Sequence, residues 1–370
     1  MRDRRDTDTS RLIRAGLQDL DLARRLCESP RLEPLLSAEA GDDVLTDISG
    51  AADPDQALLL LVRILEAADE RDWRRLVSAL QADIDLRRRL IDVIGMSEAL
   101  GDFLARHLSS WSVLADAEAL AEAPSARAMR EDLLLAVGAV PGLDQPVAAS
   151  DGEAVLDSLR IAYRRVLLGI AARDLSGLAP MDTIAAWLSD LADAVLEAAL
   201  AVARAGVGDE YATCRFAVVG MGKCGAHELN YVSDVDVIFV AEPVDGADEA
   251  RALSAATSLA MGLMRACNAV TSEGTIWEVD AALRPEGKRG ALVRTIASHI
   301  DYYERWAKTW EFQALLKARP VAGDAVLGRE YVDSVSPFVW SAADHPDFVD
   351  DVQAMRRRVE QHVPARVADR

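Results

Sequence analysis

Apolar residues recur at helical spacing through the first 208 residues of the chain. In the segment that Pro54 opens, they form one stripe: Ala57, Leu58, Leu61, Leu65 and Ala68. A stripe of this kind predicts a helix with one buried face, and proline suits the first helical turn. The same spacing predicts further helices at 84–94, 98–116, 125–138, 151–173 and 181–205. Since no long repeat relates these segments, the pattern predicts a helical region rather than a solenoid.

The pattern changes at residue 215, where two continuous apolar runs replace the helical spacing. Residues 215–220 and 235–242 read RFAVVG and VDVIFVAE, which predicts two buried strands joined by a glycine-rich turn and a short polar segment. Beyond them we expect a strand that ends at Asp280 and helices at about 247–268, 296–307, 310–318 and 347–370. The predicted fold class is therefore α+β, predominantly helical, with a small mixed sheet.

The chain is strongly acidic: its formal net charge is −20, because 61 Asp and Glu outnumber 41 Lys and Arg. A protein that binds a polynucleotide must neutralise phosphates with clustered lysine and arginine, and this chain has no such excess. The charge balance therefore favours a protein substrate over a nucleic acid.

Four cysteines are scattered along the chain without a CxxC pair, which is typical of reduced thiols. The N-terminus is charged and lacks the apolar stretch of a secretory signal. No uninterrupted apolar run is long enough to span a membrane. We therefore expect a soluble, cytoplasmic protein.

Two carboxylates stand at the start of the second strand, Asp234 and Asp236. Strand side chains alternate between faces, so these two point to the same side, roughly 6.5–7 Å apart along the strand. Two carboxylates at so short a distance repel each other, and each raises the pKa of the other. Oxygen ligands of this kind suit Mg²⁺, which takes its remaining ligands from water and substrate phosphates. Alone, the pair would more simply be a solvated strand edge, but the preceding glycine turn favours a metal site.

That glycine turn allows a second interpretation. GMGKCG (220–225) is a literal G-x-G-x-x-G after a strand, and Glu242 lies further on at about the 20-residue distance of dinucleotide-binding units. However, only eight residues separate Gly225 from Asp234, whereas a parallel crossover needs about a dozen or more. A NAD-binding Rossmann oxidoreductase is therefore the most distant alternative, and we expect no measurable affinity for NAD.

The spacing of the turn and the carboxylates fits a polymerase-β-like nucleotidyltransferase better. In these enzymes a glycine turn precedes D-x-D on a strand, and Gly222 stands at the matching distance before Asp234. Backbone N–H groups of such a turn cradle phosphate oxygens, and the carboxylates hold the metals that bridge the reacting phosphate. A third carboxylate is available at Asp280, at the end of the predicted strand 275–280.

Two stretches make a family resemblance specific. GMGKCGAHELNYVSDVDVIFV (220–240) and WEVDAALRPEG (277–287) resemble the cores of the glutamine synthetase adenylyltransferase/adenylyl-removing enzyme family. Residues 173–200 and 302–319 resemble segments that flank those cores in the same family. The resemblance therefore covers most of residues 90–335.

The resemblance implies roles for individual residues. Three carboxylates would hold two Mg²⁺ ions and act at the reacting phosphate: Asp234, Asp236 and Asp280. Phosphate or nucleotide contacts would fall on a second set: Gly222, Lys223, Gly225, Ser233, Arg284 and Lys288. Each of the three cations in that set could equally be an ordinary surface charge. Three residues depart from the family's pattern: Ala226, His227 and Ala282. These departures concern the predicted phosphate contacts and leave the three carboxylates unchanged.

The resemblance also implies a domain plan. Residues 1–208 would form a helical N-terminal region, residues 209–335 a nucleotidyltransferase-like catalytic domain, and residues 336–370 a helical segment. Since the family continues into a second transferase domain, we expect this chain to be the N-terminal part of a longer protein.

The family's N-terminal catalytic domain removes AMP from glutamine synthetase, and its C-terminal domain attaches AMP. GMGK, ELN and the helical lead-in resemble the N-terminal copy. The implied reaction is phosphorolysis, in which inorganic phosphate attacks AMP on a tyrosine of adenylylated glutamine synthetase and gives ADP. The PII signal protein and glutamine would be regulators, and no nucleic acid or membrane would be involved. The alternative on the same fold is ATP-dependent transfer of AMP onto that tyrosine.

Overall fold

A computed structural model describes the following residues: 9–37, 41–343, 353, 354 and 357. The chain divides into two compact units. The first contains residues 1–124 and 164–184, and the second contains residues 125–163 and 185–370. The three-part domain plan stays a prediction. Over the described residues, no helix combines the length and the apolar character that crossing a bilayer requires.

Helices make up the described part of the first unit. In chain order they are α1 (residues 9–14), α2 (Leu20–Cys27), α3 (Glu33–Ser37), α4 (Gly41–Gly50), α5 (Pro54–Ala67), α6 (Glu70–Ala82), α7 (Ile84–Met96), α8 (Glu98–Arg106), α9 (Ser112–Ala115) and α10 (Ala117–Ala121). The side chains of Asp53, Asp69 and Asp83 accept backbone N–H groups in the first turns of α5, α6 and α7. The apolar stripe predicted for α5 is buried.

The prediction of one helix over 98–116 is wrong for residues 107–116. α8 ends at Arg106 because His107 leaves helical geometry, with φ −123° and ψ 61°. A 3₁₀ turn and the short α9 follow. Serine weakens a helix by bonding to nearby backbone, and Ser109 and Ser110 lie at this break. The His107 ring packs on Phe103, with the ring centroids 5.2 Å apart.

A mixed sheet lies at the centre of the second unit. Its strands are β1 (Cys214–Gly220), β2 (Val235–Pro243), β3 (Val279–Asp280), β4 (Val293–Arg294) and β5 (Arg319–Gly323). They lie in the order β3–β2–β1–β5, and β4 also pairs with β2. β1 is antiparallel to β2 and β5, whereas β3 and β4 are parallel to β2. The predicted fold class, a predominantly helical α+β protein with a small mixed sheet, is confirmed.

Helices make up much of the rest of the second unit. They are α11 (Ala126–Ala136), α12 (Glu153–Leu175), α13 (Met181–Val207), α14 (Gly222–Gly225), α15 (Glu249–Asn268), α16 (Ile296–Arg305), α17 (Thr309–Leu315) and α18 (Ala325–Ala343). Parts of α12 and α13 belong to the first unit. On one face of the sheet, Val219 and Ile238 form a buried cluster with Tyr303 and Tyr331 of α16 and α18.

Several elements were not predicted from the apolar pattern. The predicted helices at 247–268, 296–307 and 310–318 are present as α15, α16 and α17, but β4, β5 and α18 are additional. β4 and β5 contain two and five residues, too few to show a clear alternation. The helix predicted at 347–370 lies outside the described residues, apart from residues 353, 354 and 357, which are helical.

The link from β1 to β2 excludes a dinucleotide-binding unit. Gly220 pairs with Val237 in antiparallel register, and the residues between them contain only the four-residue helix α14. A β–α–β unit needs parallel strands and a long crossover, usually a helix. The Rossmann interpretation is therefore wrong, and G-x-G-x-x-G forms a tight turn in this protein.

The buried His299 should make the second unit less stable in acid. Its side chain lies against Tyr331, with ring centroids 5.0 Å apart, and its Nδ1 is 3.0 Å from the Thr295 carbonyl. Burial disfavours the imidazolium and lowers the pKa of His299 to about 4. Its contribution to the free energy of unfolding is therefore complete above the unfolded-state pKa, about 6.5, and is lost as pH falls towards 4.

Between pH 7 and pH 4.5 this loss should approach, but not exceed, about 3 kcal/mol. Urea unfolding of the chain and of His299→Asn at both pH values measures it. The variant should show the smaller decrease. Equal decreases in the two proteins would show that His299 does not set the acid sensitivity.

Candidate active site

Three carboxylates lie together at one end of the sheet, where β2 begins and β3 ends. Asp234 comes just before β2, and Asp236 is the second residue of that strand. Asp280 ends β3, which is much shorter than the strand predicted at 275–280. β2 and β3 are parallel, and Asp236 is the direct register partner of Asp280. Register partners on neighbouring strands share a face, so the structure brings the three predicted carboxylates together.

The electrostatics of Asp236 show that the three carboxylates interact. Burial, and then the charges of Asp234 and Asp280, raise the pKa of Asp236 to about 6. The Lys223 ammonium acts in the opposite direction and lowers this pKa. Asp236 is therefore ionised at neutral pH, but burial and the neighbouring carboxylates disfavour its charge. A bound cation would reduce this unfavourable energy.

The glycine turn lies directly against the carboxylate of Asp236. The Met221 N–H donates to the Asp236 carbonyl at 2.8 Å. Gly222 has φ +53°, and a Cβ added there would lie 2.5 Å from Asp236 Oδ2. A Cβ at Gly225 would lie 1.9 Å from the Lys317 carbonyl oxygen. Both predicted glycines are therefore required by close contacts, and Gly222 also by its left-handed backbone.

Two of the predicted cations flank the carboxylates. Lys223 Nζ lies 3.5 Å from Asn230 Oδ1, and its charge acts on Asp236. Lys288 Nζ lies 3.8 Å from Asp280 Oδ2, with 74% of its side chain exposed. Both ammonium groups can therefore approach an anion bound at this end of the sheet. Ser233, also predicted here, has its Oγ 3.5 Å from Asp234 Oδ1.

Arg284, the third predicted cation, is engaged with its own loop. Its Nη1 donates to the Ala281 carbonyl at 2.6 Å, and its Nε donates to the Gly290 carbonyl at 3.2 Å. Partial burial lowers the pKa of Arg284. These contacts hold the loop that follows β3, and a contact between Arg284 and phosphate stays a prediction.

The residues that follow Gly225 lie against α13. The Leu229 N–H donates to Ser189 Oγ at 3.2 Å, and His227 Nδ1 lies 3.7 Å from Asp190 Oδ1. His227 also has a left-handed backbone, with φ +57°. This segment is therefore held by α13, in addition to the contact between Gly222 and Asp236.

Arg319 and Asp193 contact the turn, although the sequence did not predict either of them as a site residue. Arg319 Nη2 donates to the Cys224 carbonyl at 2.9 Å, and Nε donates to the Gly225 carbonyl at 3.1 Å. The same guanidinium pairs with Asp193. Both residues lie within stretches that resemble the family, 173–200 and 302–319, but no local pattern distinguishes either residue from the other polar positions of its stretch.

Cys224 fills space in this turn. Its side chain is buried, and its Sγ lies 3.8 Å from Asp193 Oδ1. Burial raises the pKa of the Cys224 thiol far above its usual value. A thiol must ionise to act as a nucleophile, so Cys224 is unsuited to nucleophilic catalysis.

The donor set at this end of the sheet fits a hard cation such as Mg²⁺. The available ligands are carboxylate oxygens, and the charge repulsion at Asp236 would be relieved by the ion. Among the described residues, no group of three or more His, Cys, Asp or Glu side chains is placed to hold a metal ion by itself. A bound Mg²⁺ would therefore complete its shell with water or substrate oxygens, as this ion commonly does.

Comparisons with known proteins show which family this chain matches. A family profile for glutamate-ammonia ligase adenylyltransferase matches residues 87–333. A relative from Streptomyces avermitilis is 53% identical over 369 residues, which are 99% of this chain and 35% of the relative. Relatives from Bifidobacterium longum subsp. infantis and Mycolicibacterium smegmatis are 46% and 50% identical, over 97% and 89% of the chain and 34% and 32% of their own lengths.

All three relatives are named bifunctional glutamine synthetase adenylyltransferase/adenylyl-removing enzyme. The chain thus spans about a third of the length of the curated relatives it matches.

Proposed function

Since the chain belongs to the glutamate-ammonia ligase adenylyltransferase family, we propose that its second unit removes AMP from adenylylated glutamine synthetase by phosphorolysis. The observation that carries the proposal is the meeting of Asp234, Asp236 and Asp280 beside the turn at Gly222 and Lys223. Enzymes that transfer phosphoryl or nucleotidyl groups commonly use carboxylates next to a glycine turn to bind metal ions and phosphate. The resemblance of GMGK and ELN to the family's N-terminal copy favours removal over addition.

The proposed reaction is a displacement at the phosphorus of AMP. An oxygen of inorganic phosphate forms a bond to this phosphorus, and the bond from phosphorus to the tyrosine oxygen breaks. The products are ADP and tyrosinate, which takes a proton from solvent. Tyrosine has a pKa near 10, so its oxygen is a tolerable leaving group without a dedicated acid.

The residues of the chain bind and orient the reactants in this proposal. Lys223 and Lys288 attract the incoming phosphate, and Gly222 lets the backbone approach the reacting group. Asp234, Asp236 and Asp280 are the ligands proposed for one or two Mg²⁺ ions. Bound Mg²⁺ would supply positive charge to the phosphate oxygens in the transition state. The PII signal protein and glutamine are proposed as regulators.

Two parallel incubations test the direction of the reaction. In one, the chain is mixed with adenylylated glutamine synthetase, Mg²⁺ and phosphate. In the other, it is mixed with unmodified glutamine synthetase, Mg²⁺ and ATP. Mass spectrometry of the intact substrate should show loss of AMP in the first and no change in the second. Gain of AMP in the second, with no loss in the first, would overturn the proposal in favour of the transferring activity.

Gly222→Ala should reduce this activity at least tenfold while leaving most of the chain folded. The added Cβ would lie 2.5 Å from Asp236 Oδ2, so the carboxylate or the turn must move. The left-handed backbone alone should cost about 1–3 kcal/mol. Gly246→Ala is the matched control, because Gly246 has φ +82° and its added Cβ meets nothing within 4 Å. Similar losses in both variants would mean that backbone strain, and not contact with Asp236, explains the effect.

A further inference from the structure

The guanidinium of Arg319 connects three segments of the second unit. Arg319 is the first residue of β5, and Asp193 lies on α13. Arg319 Nη2 donates to Asp193 Oδ1 at 3.0 Å and to the Cys224 carbonyl at 2.9 Å. Nη1 donates to Asp193 Oδ2, and Nε donates to the Gly225 carbonyl at 3.1 Å. The side chains of Arg319 and Asp193 are 24% and 19% exposed.

These contacts use the geometry that only arginine has. Arginine carries five N–H groups in a planar fork, and Arg319 directs four of them at Asp193 and the two carbonyls. A lysine ammonium is a compact point charge and cannot reproduce this arrangement. Since most of its donors are already used, Arg319 is suited to hold the turn rather than to bind substrate.

The turn needs such support because α14 is only one turn long. A single helical turn fixes several backbone angles for very few hydrogen bonds, so it is unstable alone. Its last carbonyls also lack partners within the helix. Arg319 donates to the carbonyls of Cys224 and Gly225 at one end of α14, where the Cys224 carbonyl also accepts the His227 N–H at 3.3 Å. At the other end, Gly222 lies against the Asp236 carboxylate.

A purely stabilising role explains the pair less well. Placing an ion pair in a largely buried position costs desolvation energy, and apolar residues in its place are often as stabilising. The partners of this pair are backbone groups of the turn itself, two residues or fewer from Lys223. The contacts therefore determine where Gly222 and Lys223 lie relative to Asp236.

We propose that Arg319, held by Asp193, is a positioning residue that fixes the glycine turn against the carboxylates. This inference rests on the proposed function, since it assigns the pair a role in AMP removal. Its structural part, that Arg319 orders the turn, stands on the hydrogen bonds alone and can be tested without the reaction.

Arg319→Ala tests the inference, with Arg215→Ala as the matched control. Arg215 lies on β1 of the same sheet and also pairs with carboxylates, at 2.8 Å from Asp324 and 3.1 Å from Glu330. Its position pairs with Glu242, at the end of β1 away from the turn. Both variants lose one arginine from a partly exposed ion pair, but only one loses the contacts to the turn.

We expect kcat of Arg319→Ala to fall about 10- to 150-fold, as for a lost charge-assisted hydrogen bond. The KM for adenylylated glutamine synthetase should stay within about twofold, and Arg215→Ala should retain normal kcat. Guanidinium ion at millimolar concentration should restore part of the activity of Arg319→Ala by occupying the vacated site. Arg319→Lys should stay impaired, because an ammonium cannot bond the carbonyls and the carboxylate together.

Hydrogen exchange of residues 221–228 provides the readout that does not depend on the reaction. Exchange should be faster in Arg319→Ala and unchanged in Arg215→Ala. Unchanged exchange in Arg319→Ala, or equal losses of kcat in both variants, would overturn the inference. If the unaltered chain removes no AMP, the proposed function fails, and the exchange measurement still decides whether Arg319 orders the turn.

Discussion

Asp236→Asn should abolish AMP removal and, at the same time, stabilise the metal-free chain at pH 7. The first effect follows from the loss of a proposed metal ligand, and we expect turnover to fall by a factor of about 1,000 or more. The second follows from the environment of Asp236, where burial and two neighbouring carboxylates disfavour the charge. Asparagine has a similar shape and carries no charge.

The sign of the stability effect follows from the raised pKa. In the folded chain Asp236 has a pKa of about 6, against about 3.9 when unfolded. The folded state therefore binds the proton more tightly, and the metal-free chain loses stability as pH rises from about 4 to about 6. At pH 7 that loss is complete. Because the group is partly exposed, solvent screening should reduce the gain in Asp236→Asn to about 1–2 kcal/mol.

Urea unfolding with a chelator present and steady-state turnover with Mg²⁺ measure the two effects. Asp245→Asn is the control, since Asp245 is an exposed acid in the loop after β2. That variant should keep normal turnover. Asp234→Asn should also abolish turnover. Normal activity of Asp236→Asn would refute the metal assignment, and lost activity together with lower stability would indicate a structural role.

Lys223→Ala should weaken the binding of phosphate, so the reaction should need a higher phosphate concentration. The Lys223 ammonium lowers the pKa of Asp236, so its charge acts at the carboxylates. Loss of one charge-assisted contact costs roughly 1.5–3 kcal/mol, so the KM for phosphate should rise about 10- to 150-fold. The pKa of Asp236 should also rise without Lys223, so activity should begin at a higher pH than in the unaltered chain.

Initial rates at a series of phosphate concentrations and pH values measure both changes. Lys288→Ala should have a smaller effect, because that side chain is 74% exposed and 3.8 Å from Asp280. Arg289→Ala is the control, since it removes a cation one residue further along the same loop. An unchanged KM for phosphate in Lys223→Ala, or an equal rise in Arg289→Ala, would exclude a specific role for Lys223.

The part of the site that the sequence predicted depends on local spacing. Eight residues between Gly225 and Asp234 leave no space for a crossover helix, and the structure has the antiparallel connection that this implies. Alternation along a strand placed Asp234 and Asp236 on one face. The polymerase-β-like pattern, which needs a third carboxylate on a neighbouring strand, indicated Asp280, which the structure pairs with Asp236.

The part that the sequence did not predict depends on contacts between distant residues. Asp193 and Arg319 are 126 positions apart, and neither has a local pattern that indicates its partner. β5 was missed because it is a short strand that contains Pro320 and follows directly on a helical segment. The charge of Arg284 predicts a phosphate contact, whereas its bonds to Ala281 and Gly290 depend on how the loop folds.

The fate of labelled phosphate tests the central claim most directly. The chain is incubated with adenylylated glutamine synthetase, Mg²⁺ and radiolabelled inorganic phosphate, and the nucleotides are separated by chromatography. If phosphate is the attacking group, label must appear in ADP, in its terminal phosphate, and ADP must be absent when phosphate is omitted. Release of unlabelled AMP at the same rate without phosphate would contradict the account and identify a hydrolase on the same fold.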